Sequence, residues 1–259
     1  MDILNKLAAA AKVRVAKNKA IIPLNEICER AKAVGGEAFR FEKALSSSDI
    51  AFICECKKAS PSKGLIAPVF PYLKIAKEYE EAGASAISVL TEPQWFLGSD
   101  DYLREISSSV TIPCLRKDFT VDEYMIYEAK LLGASAVLLI CSLLGEETLS
   151  VYRETADSLG LSSLVEAHDE SEIAMALRAG ARIIGVNNRN LRDFSVDVHN
   201  SERLRRLVPK DVIFVAESGI KTPEDIQVLR DCGVNAVLIG ESLMRSDDKK
   251  AMLDYLRGK

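Results

Sequence analysis

A chain of 259 residues that is 48% hydrophobic and 28% charged has enough apolar material for a sizeable core, arranged as one large domain or two small ones. Its formal net charge of −4 is the wrong sign for a nucleic-acid binder, which carries a basic stripe. No run of about 18 apolar residues predicts a membrane span, and Met1 to Lys6 lacks the basic-then-apolar pattern of a signal peptide. Six scattered cysteines form no CxxC pair, and two histidines, His168 and His199, are too few for a metal cluster. The cysteines read as buried thiols in a reducing, cytoplasmic setting. His168 follows a strand and reads as a local hydrogen-bonding group.

The first 45 or so residues are helical in pattern: Ile3, Leu4, Leu7, Ala8 and Ala11 recur at helical spacing, and a second segment runs from Pro23 to Gly35-Gly36. From residue 51 the pattern becomes regular. Short apolar runs at 51–57, 86–91, 112–117, 136–142, 162–167, 183–188, 212–217 and 236–240 read as strands. Helical segments follow them at 71–82, 100–108, 121–132, 146–159, 170–179, 200–207, 223–232 and 248–257.

Junction signals agree with this reading. Thr120 with Glu123, and Asp169 with Glu172, have capping-box spacing. Thr222-Pro223 reads as an N-cap with proline at the first helical position. Gly83, Gly133, Gly160, Gly180 and Gly233 each stand where a left-handed C-cap would end a helix before the next strand. Eight strand–helix units in alternation predict a parallel sheet, and eight strands close a (β/α)₈ TIM barrel. A doubly wound sheet would carry a glycine-rich loop after its first strand, and none is present. The expected organisation is one domain over 1–259: an N-terminal helical extension (1–45) followed by the barrel (51–259).

Barrel chemistry sits at the C-terminal ends of the strands. In Ala51-Phe52-Ile53-Cys54-Glu55-Cys56-Lys57, alternation puts Glu55 and Lys57 on one face and the cysteines on the other. Lys117 shares a face with Leu115, Glu166 with Leu164 and Glu217 with Val215, while Asn187 and Arg189 share one face. Three carboxylates and three cations thus converge on one mouth. A lone desolvated charge costs several kcal/mol, whereas a balanced ring holds itself charged. The bland alternative is a salt-bridge network that merely closes the barrel top.

Glycine-bearing loops follow the last two strands: Glu217-Ser218-Gly219-Ile220 and Ile239-Gly240-Glu241-Ser242. Barrels commonly bind phosphate there, on backbone N–H groups, and Lys57 supplies a cation. Trp95 and Phe96 after strand two, Phe119 after strand three, and Leu138 and Ile140 in strand four interleave with the charges. Core packing is the default for each, with Phe96 and Trp95 as candidates to line a planar pocket. The Pro- and Gly-containing loop from Ser60 to Gly64 is placed to fold over a ligand.

These residues resemble the indole-3-glycerol phosphate synthase family. The likeness runs through Glu55-Cys56-Lys57-Lys58-Ala59-Ser60-Pro61-Ser62-Lys63-Gly64, Leu115-Arg116-Lys117-Asp118-Phe119, Leu164-Val165-Glu166-Ala167-His168 and Asn187-Asn188-Arg189-Asn190-Leu191. It continues in Ala216-Glu217-Ser218-Gly219-Ile220 and Ile239-Gly240-Glu241-Ser242-Leu243-Met244. Cys56 and Cys114 depart from the aliphatic residues expected there, on the face away from the pocket. No stretch remains for the fused isomerase of some relatives, so a monofunctional chain is expected.

The resemblance implies closure of 1-(2-carboxyphenylamino)-1-deoxyribulose 5-phosphate to indole-3-glycerol phosphate, with loss of carbon dioxide and water. It implies Lys117 as general acid, Glu166 as base or electrostatic stabiliser, and Lys57 with Glu55 in the dehydration. Asn187, Arg189 and Ser60 would orient the carboxylate and hydroxyls, and Glu217 would bind a hydroxyl or hold a lysine. Phe96, Phe119 and Leu138 would enclose the ring, and Lys57, Ser218, Gly219, Gly240 and Glu241 would hold the phosphate. No metal or organic cofactor is expected. The expected partner is a small sugar phosphate, with no nucleic acid and no membrane, on a monomer or homodimer. Two readings compete: a phosphate-binding barrel isomerase, which would use an Asp or Cys acid–base pair, and a silent sugar-phosphate sensor, which would lose Lys117 or Glu166.

Overall fold

Side-chain alternation along eight short strands accounts for the architecture. The computed structural model describes residues 3–189, 195–197 and 199–259; Asn190 and Leu191 of the motif after the sixth strand lie outside them. Three helices come first: α1 (Ile3–Ile21), α2 (Leu24–Ala33) and α3 (Arg40–Leu45). The strands are β1 (Ala51–Cys56), a two-stranded ribbon β2 (Ala59–Ser60) and β3 (Gly64–Leu65), then β4 (Ala86–Leu90), β5 (Cys114–Lys117) and β6 (Ala136–Ile140). β7 (Ser162–Ala167), β8 (Ile183–Asn187), β9 (Ile213–Glu217) and β10 (Ala236–Ile239) complete them. Helices α4 (Tyr72–Glu81), α5 (Asp100–Ser109), α6 (Tyr124–Leu131), α7 (Glu146–Ser158), α8 (Glu170–Arg178), α9 (His199–Arg205) and α10 (Pro223–Asp231) connect successive barrel strands. The short α11 (Glu241–Arg245) and α12 (Lys249–Leu256) follow the last strand.

All strands but the ribbon close into one parallel barrel in the order β1-β10-β9-β8-β7-β6-β5-β4, a (β/α)₈ TIM barrel. Its register pairs Ile53 with Ala86, Leu115 with Ala136, Leu164 with Ile183 and Ala236 with Val215. Odd and even residues go to different cores. Ile53, Leu115, Leu138, Leu164, Val215 and Leu238 fill the barrel interior. Cys54, Cys56, Cys114, Val165, Val186 and Phe214 face the surrounding helices, in the larger core. The six cysteines are free thiols.

The N-terminal extension clamps the barrel at both ends. Leu7 and Ala11 of α1 join the interior cluster, and Arg14 fixes that helix through Asp118, at 2.6 Å, just past the C-terminal end of β5. At the opposite end Phe41 and Leu45 of α3 close the bottom, where the Glu42 N–H donates to Ser162 Oγ at 3.3 Å. A buried Phe and Leu together remove apolar area worth several kcal/mol, about 1.5–3 kcal/mol each.

Local sequence signals hold at some junctions and fail at others. Thr222 caps α10 with a full capping box, completed by Asp225. Glycines end the helices as expected: Gly133, at φ +82°, takes a conformation an L side chain rarely adopts and has the Ser107 hydroxyl against its Cα. The Thr120–Glu123 box does not form. Thr120 is buried, α6 begins only at Tyr124, and Asp122 accepts the Tyr124 N–H at 2.9 Å. At α8, Asp169 caps as expected, but the Glu172 carboxylate takes the His168 N–H at 2.8 Å in place of the N-cap amide. The loop after β1 contains the unexpected ribbon, in which Ala59 pairs with Leu65 and Ser60 with Gly64.

Candidate active site

Every residue singled out for the site except Trp95 lines one cleft of about 790 Å³ at the C-terminal end of the barrel. The register makes this so. Lys117 stands level with Leu90 and Asn187 with Glu217, and these four, like Glu166 on β7, hold the last inward position of their strands; Glu166 is level with Gly185, one inward position before Asn187. Glu55, Glu166 and Glu217 are 4%, 2% and 1% exposed, so three carboxylates are held almost out of water. Lys117 Nζ lies 3.0 Å from Glu217 Oε2 and 3.5 Å from Glu166 Oε2. Lys57 Nζ pairs with Glu55 Oε1 at 2.5 Å. Two glycines make room for this density of charge. A Cβ on Gly185 would collide with Glu217 Oε1, and one on Gly240 with Glu55 Oε1 and Lys57 Nζ.

The carboxylates are not equivalent. Burial drives the Glu217 carboxyl up to about 7; Lys117 opposes this, and the charge of Glu166 adds to it. Its Oε1 has no hydrogen-bond partner among the described residues. Burial acts against Glu166 as well, but Lys117, His168 and the Asn187 amide overcome it and hold its carboxyl down at about 2. The Asn187 orientation follows from its other bond: its Oδ1 accepts the Arg189 N–H at 3.0 Å, which leaves the amide N–H for Glu166. Burial also works against the Lys117 ammonium, yet Glu217, Glu166 and Glu55 raise it well above the ordinary lysine range. Glu55 is held below its usual value, since Lys57 and Lys117 outweigh its burial.

One side of the cleft is apolar. Leu90, Leu138, Ile140, Phe96 and Phe119 line it, and the Phe96 and Phe119 rings sit 6.0 Å apart at 40°. Glu92 shapes the loop that carries Phe96 by accepting the N–H groups of Gln94, Trp95 and Phe96 at 2.7–3.0 Å. Trp95 packs on the interior cluster and does not line the cleft. On the other side stand the loops after β9 and β10. Ser218 and Gly219 are both left-handed, at φ +67° and +85°, and Asn188 donates to the Ser218 carbonyl at 3.1 Å. The Glu241 side chain turns to Lys63, at 3.5 Å, and to Arg245, at 3.2 Å, so its offer to an anion is its backbone N–H.

Some lining residues were not foreseen. Ile3, Leu4 and Leu7 of α1 form part of the wall, and Lys63, Lys221 and Arg245 add cations near the glycine loops. Their helix and loop were visible in the sequence, but their docking over the mouth was not. His168 stands behind Glu166, outside the lining. A signal for it exists: it stands two residues beyond Glu166, just past the end of β7, and Glu172 follows it at i+4.

An eight-stranded barrel with buried carboxylate–lysine pairs, an aromatic wall and glycine loops after its last two strands is the frame of an enzyme acting on a small phosphorylated substrate. Comparison with known proteins narrows the class. The model of the indole-3-glycerol phosphate synthase family matches residues 4–256, and this chain belongs to that family. An indole-3-glycerol phosphate synthase of Ruminiclostridium cellulolyticum is 59% identical over 257 residues, covering 99% of both chains. Another, of Endomicrobium trichonymphae, is 59% identical over 256 residues, covering 98% of this chain and 99% of its own.

Solved structures share the fold at low identity. Thiamine phosphate pyrophosphorylase from Pyrococcus furiosus superposes with a TM-score of 0.60 at 16% identity, over 81% of this chain and 94% of its own. KGPDC from Streptococcus mutans gives 0.63 at 10%, over 82% and 97%.

Proposed function

We propose that this cleft carries out its family's reaction: ring closure of 1-(2-carboxyphenylamino)-1-deoxyribulose 5-phosphate with loss of carbon dioxide and water. The observation that carries the reading is the shared lysine: one half-buried ammonium bridging the buried Glu166 and Glu217 beside an apolar, aromatic wall. The benzene ring would lie against Phe96, Phe119 and Leu138, and the phosphate on the N–H groups around Ser218, Gly219, Gly240 and Glu241 with Lys57 nearby. Arg189, Asn187 and Ser60 would hold the carboxylate and hydroxyls. The site would work as such in a reducing cytoplasm, where the free thiols persist.

Proton strengths order the steps. The ring carbon bearing the carboxylate attacks the ketone, and charge develops on the carbonyl oxygen. An ammonium as firmly protonated as Lys117 is a poor acid toward a ketone but a competent one toward an alkoxide. Transfer from Lys117 therefore follows carbon–carbon bond formation, with electrostatic stabilisation before it. Loss of carbon dioxide restores the aromatic ring. Dehydration then needs a base and a proton for the departing hydroxyl. Glu166, ionised at neutral pH, suits the base; Lys57, paired with Glu55, suits the proton donor. Glu217 holds Lys117 in place. If Glu166 is the base, Glu166→Gln lowers kcat and leaves KM nearly unchanged; a rise in KM alone would make it a binding group.

A further inference from the structure

His168 sits outside the cleft, yet it touches the group proposed as base. Its Nε2 lies 3.3 Å from Glu166 Oε1, and its Nδ1 lies 3.0 Å from Glu172 Oε2. Glu172 also accepts the His168 backbone N–H at 2.8 Å, and the His168 carbonyl accepts from Asn200 Nδ2 at 3.2 Å. Glu172 of α8 therefore holds the ring, and Asn200 of α9 holds the backbone that carries it. Nε2 is buried and makes no aligned hydrogen bond among the described residues, so its contact with Glu166 is through charge and proximity. Meanwhile Glu166 Oε2 faces Lys117 at 3.5 Å. Each oxygen of the carboxylate thus meets a different cation.

We infer that His168 is a positioning residue for Glu166, occupying Oε1 from behind so that the carboxylate stays anionic with Oε2 presented to Lys117 and the substrate. The charges facing this pair come from every neighbouring element. Lys117 lies on β5, Glu55 on β1 and Glu217 on β9; Asp169 and Glu172 face the imidazole from the start of α8, and the Cys141 thiol lies near after β6. Burial works against the imidazolium, but Glu166 and Glu172 outweigh it and raise His168 to about 10. It is therefore charged throughout the neutral range. Among the charges that keep Glu166 ionised, His168 is the one that does not line the cleft and so can be changed without removing a substrate contact.

The inference rests on Glu166 as the base, and the test separates the two. In His168→Gln, removal of the cation lets the Glu166 carboxyl rise toward its ordinary range. The acid limb of kcat/KM against pH should therefore move up by about one unit or more. Lost orientation of the carboxylate should separately lower kcat at neutral pH by about 10- to 100-fold, with KM within about twofold. Glu172→Gln keeps the imidazolium and removes only an outer anion, so its limb should not move up. Circular dichroism across the same pH range defines where each variant is folded, and rates are compared only there. An acid limb unmoved in His168→Gln, with activity lowered by one factor at every pH or not at all, overturns the inference. Retained turnover in Glu166→Gln would instead overturn the base assignment beneath it.

Discussion

The two ends of the barrel are built from the same strands and do opposite things. At the bottom, Ala51, Ile183, Ile213 and Ala236 point inward, and Phe41 and Leu45 plug the opening. Four residues further along the same inward faces, Glu55, Asn187, Glu217 and Gly240 stand at the mouth. An apolar layer gains stability from each buried side chain. A layer of desolvated charges gains little, because the attraction between partners is offset by the water they gave up. The mouth keeps its charges because each is paired and the pairs share partners; its arrangement serves reactivity where the floor serves stability.

That contrast can be broken from either end. The largest effect is expected for Lys117→Ala, which should lower turnover by roughly 10²–10⁴-fold, the scale of a general acid, with the protein still folded. Near-normal turnover would remove the role proposed for it. Phe41→Ala should do the reverse. It should cost about 3–5 kcal/mol of unfolding free energy, read from denaturant titration, with kcat of the folded fraction unchanged. A large loss of kcat at full folding would mean that the floor and mouth are coupled.

The smallest effect sharpens the comparison. Burial raises Glu217 to about 7, so its protonated form favours the folded state. The stability this lends is complete below the ordinary carboxylate pKa and is lost as pH rises through about 7. Glu217→Gln mimics the protonated form. It should match the parent near about pH 4 and exceed it near about pH 8, by about 2 kcal/mol in thermal or chemical denaturation. A variant less stable at the higher pH would show that Lys117 needs Glu217 more than Glu217 suffers from burial.

The sequence announced the mouth because alternation in a strand is strict. Once Leu115, Leu164 and Val215 are inward, Lys117, Glu166 and Glu217 must be inward too. It was weaker where contacts join residues far apart. The stripe of Ile3, Leu4 and Leu7 declares a helix, but nothing local says that this helix covers the cleft, a placement fixed by Arg14 on Asp118 across 104 residues. The ribbon after β1 rests on two residue pairs and a left-handed Gly64 at φ +63°, too short a pattern to read as strands. Thr120 and Glu123 had the spacing of a capping box, yet Thr120 is buried and the helix starts a turn later. His168 carries a legible signal, two residues beyond Glu166 and four before Glu172, but that spacing alone implies no more than a local hydrogen bond.

The central claim is that this mouth makes an indole while releasing carbon dioxide. It is tested most directly by giving the purified protein 1-(2-carboxyphenylamino)-1-deoxyribulose 5-phosphate without added metal, and following indole fluorescence and carbon dioxide together. The account predicts that both appear in equal amounts, with the phosphate ester intact. Consumption of the substrate without carbon dioxide, or no consumption at all, would contradict it.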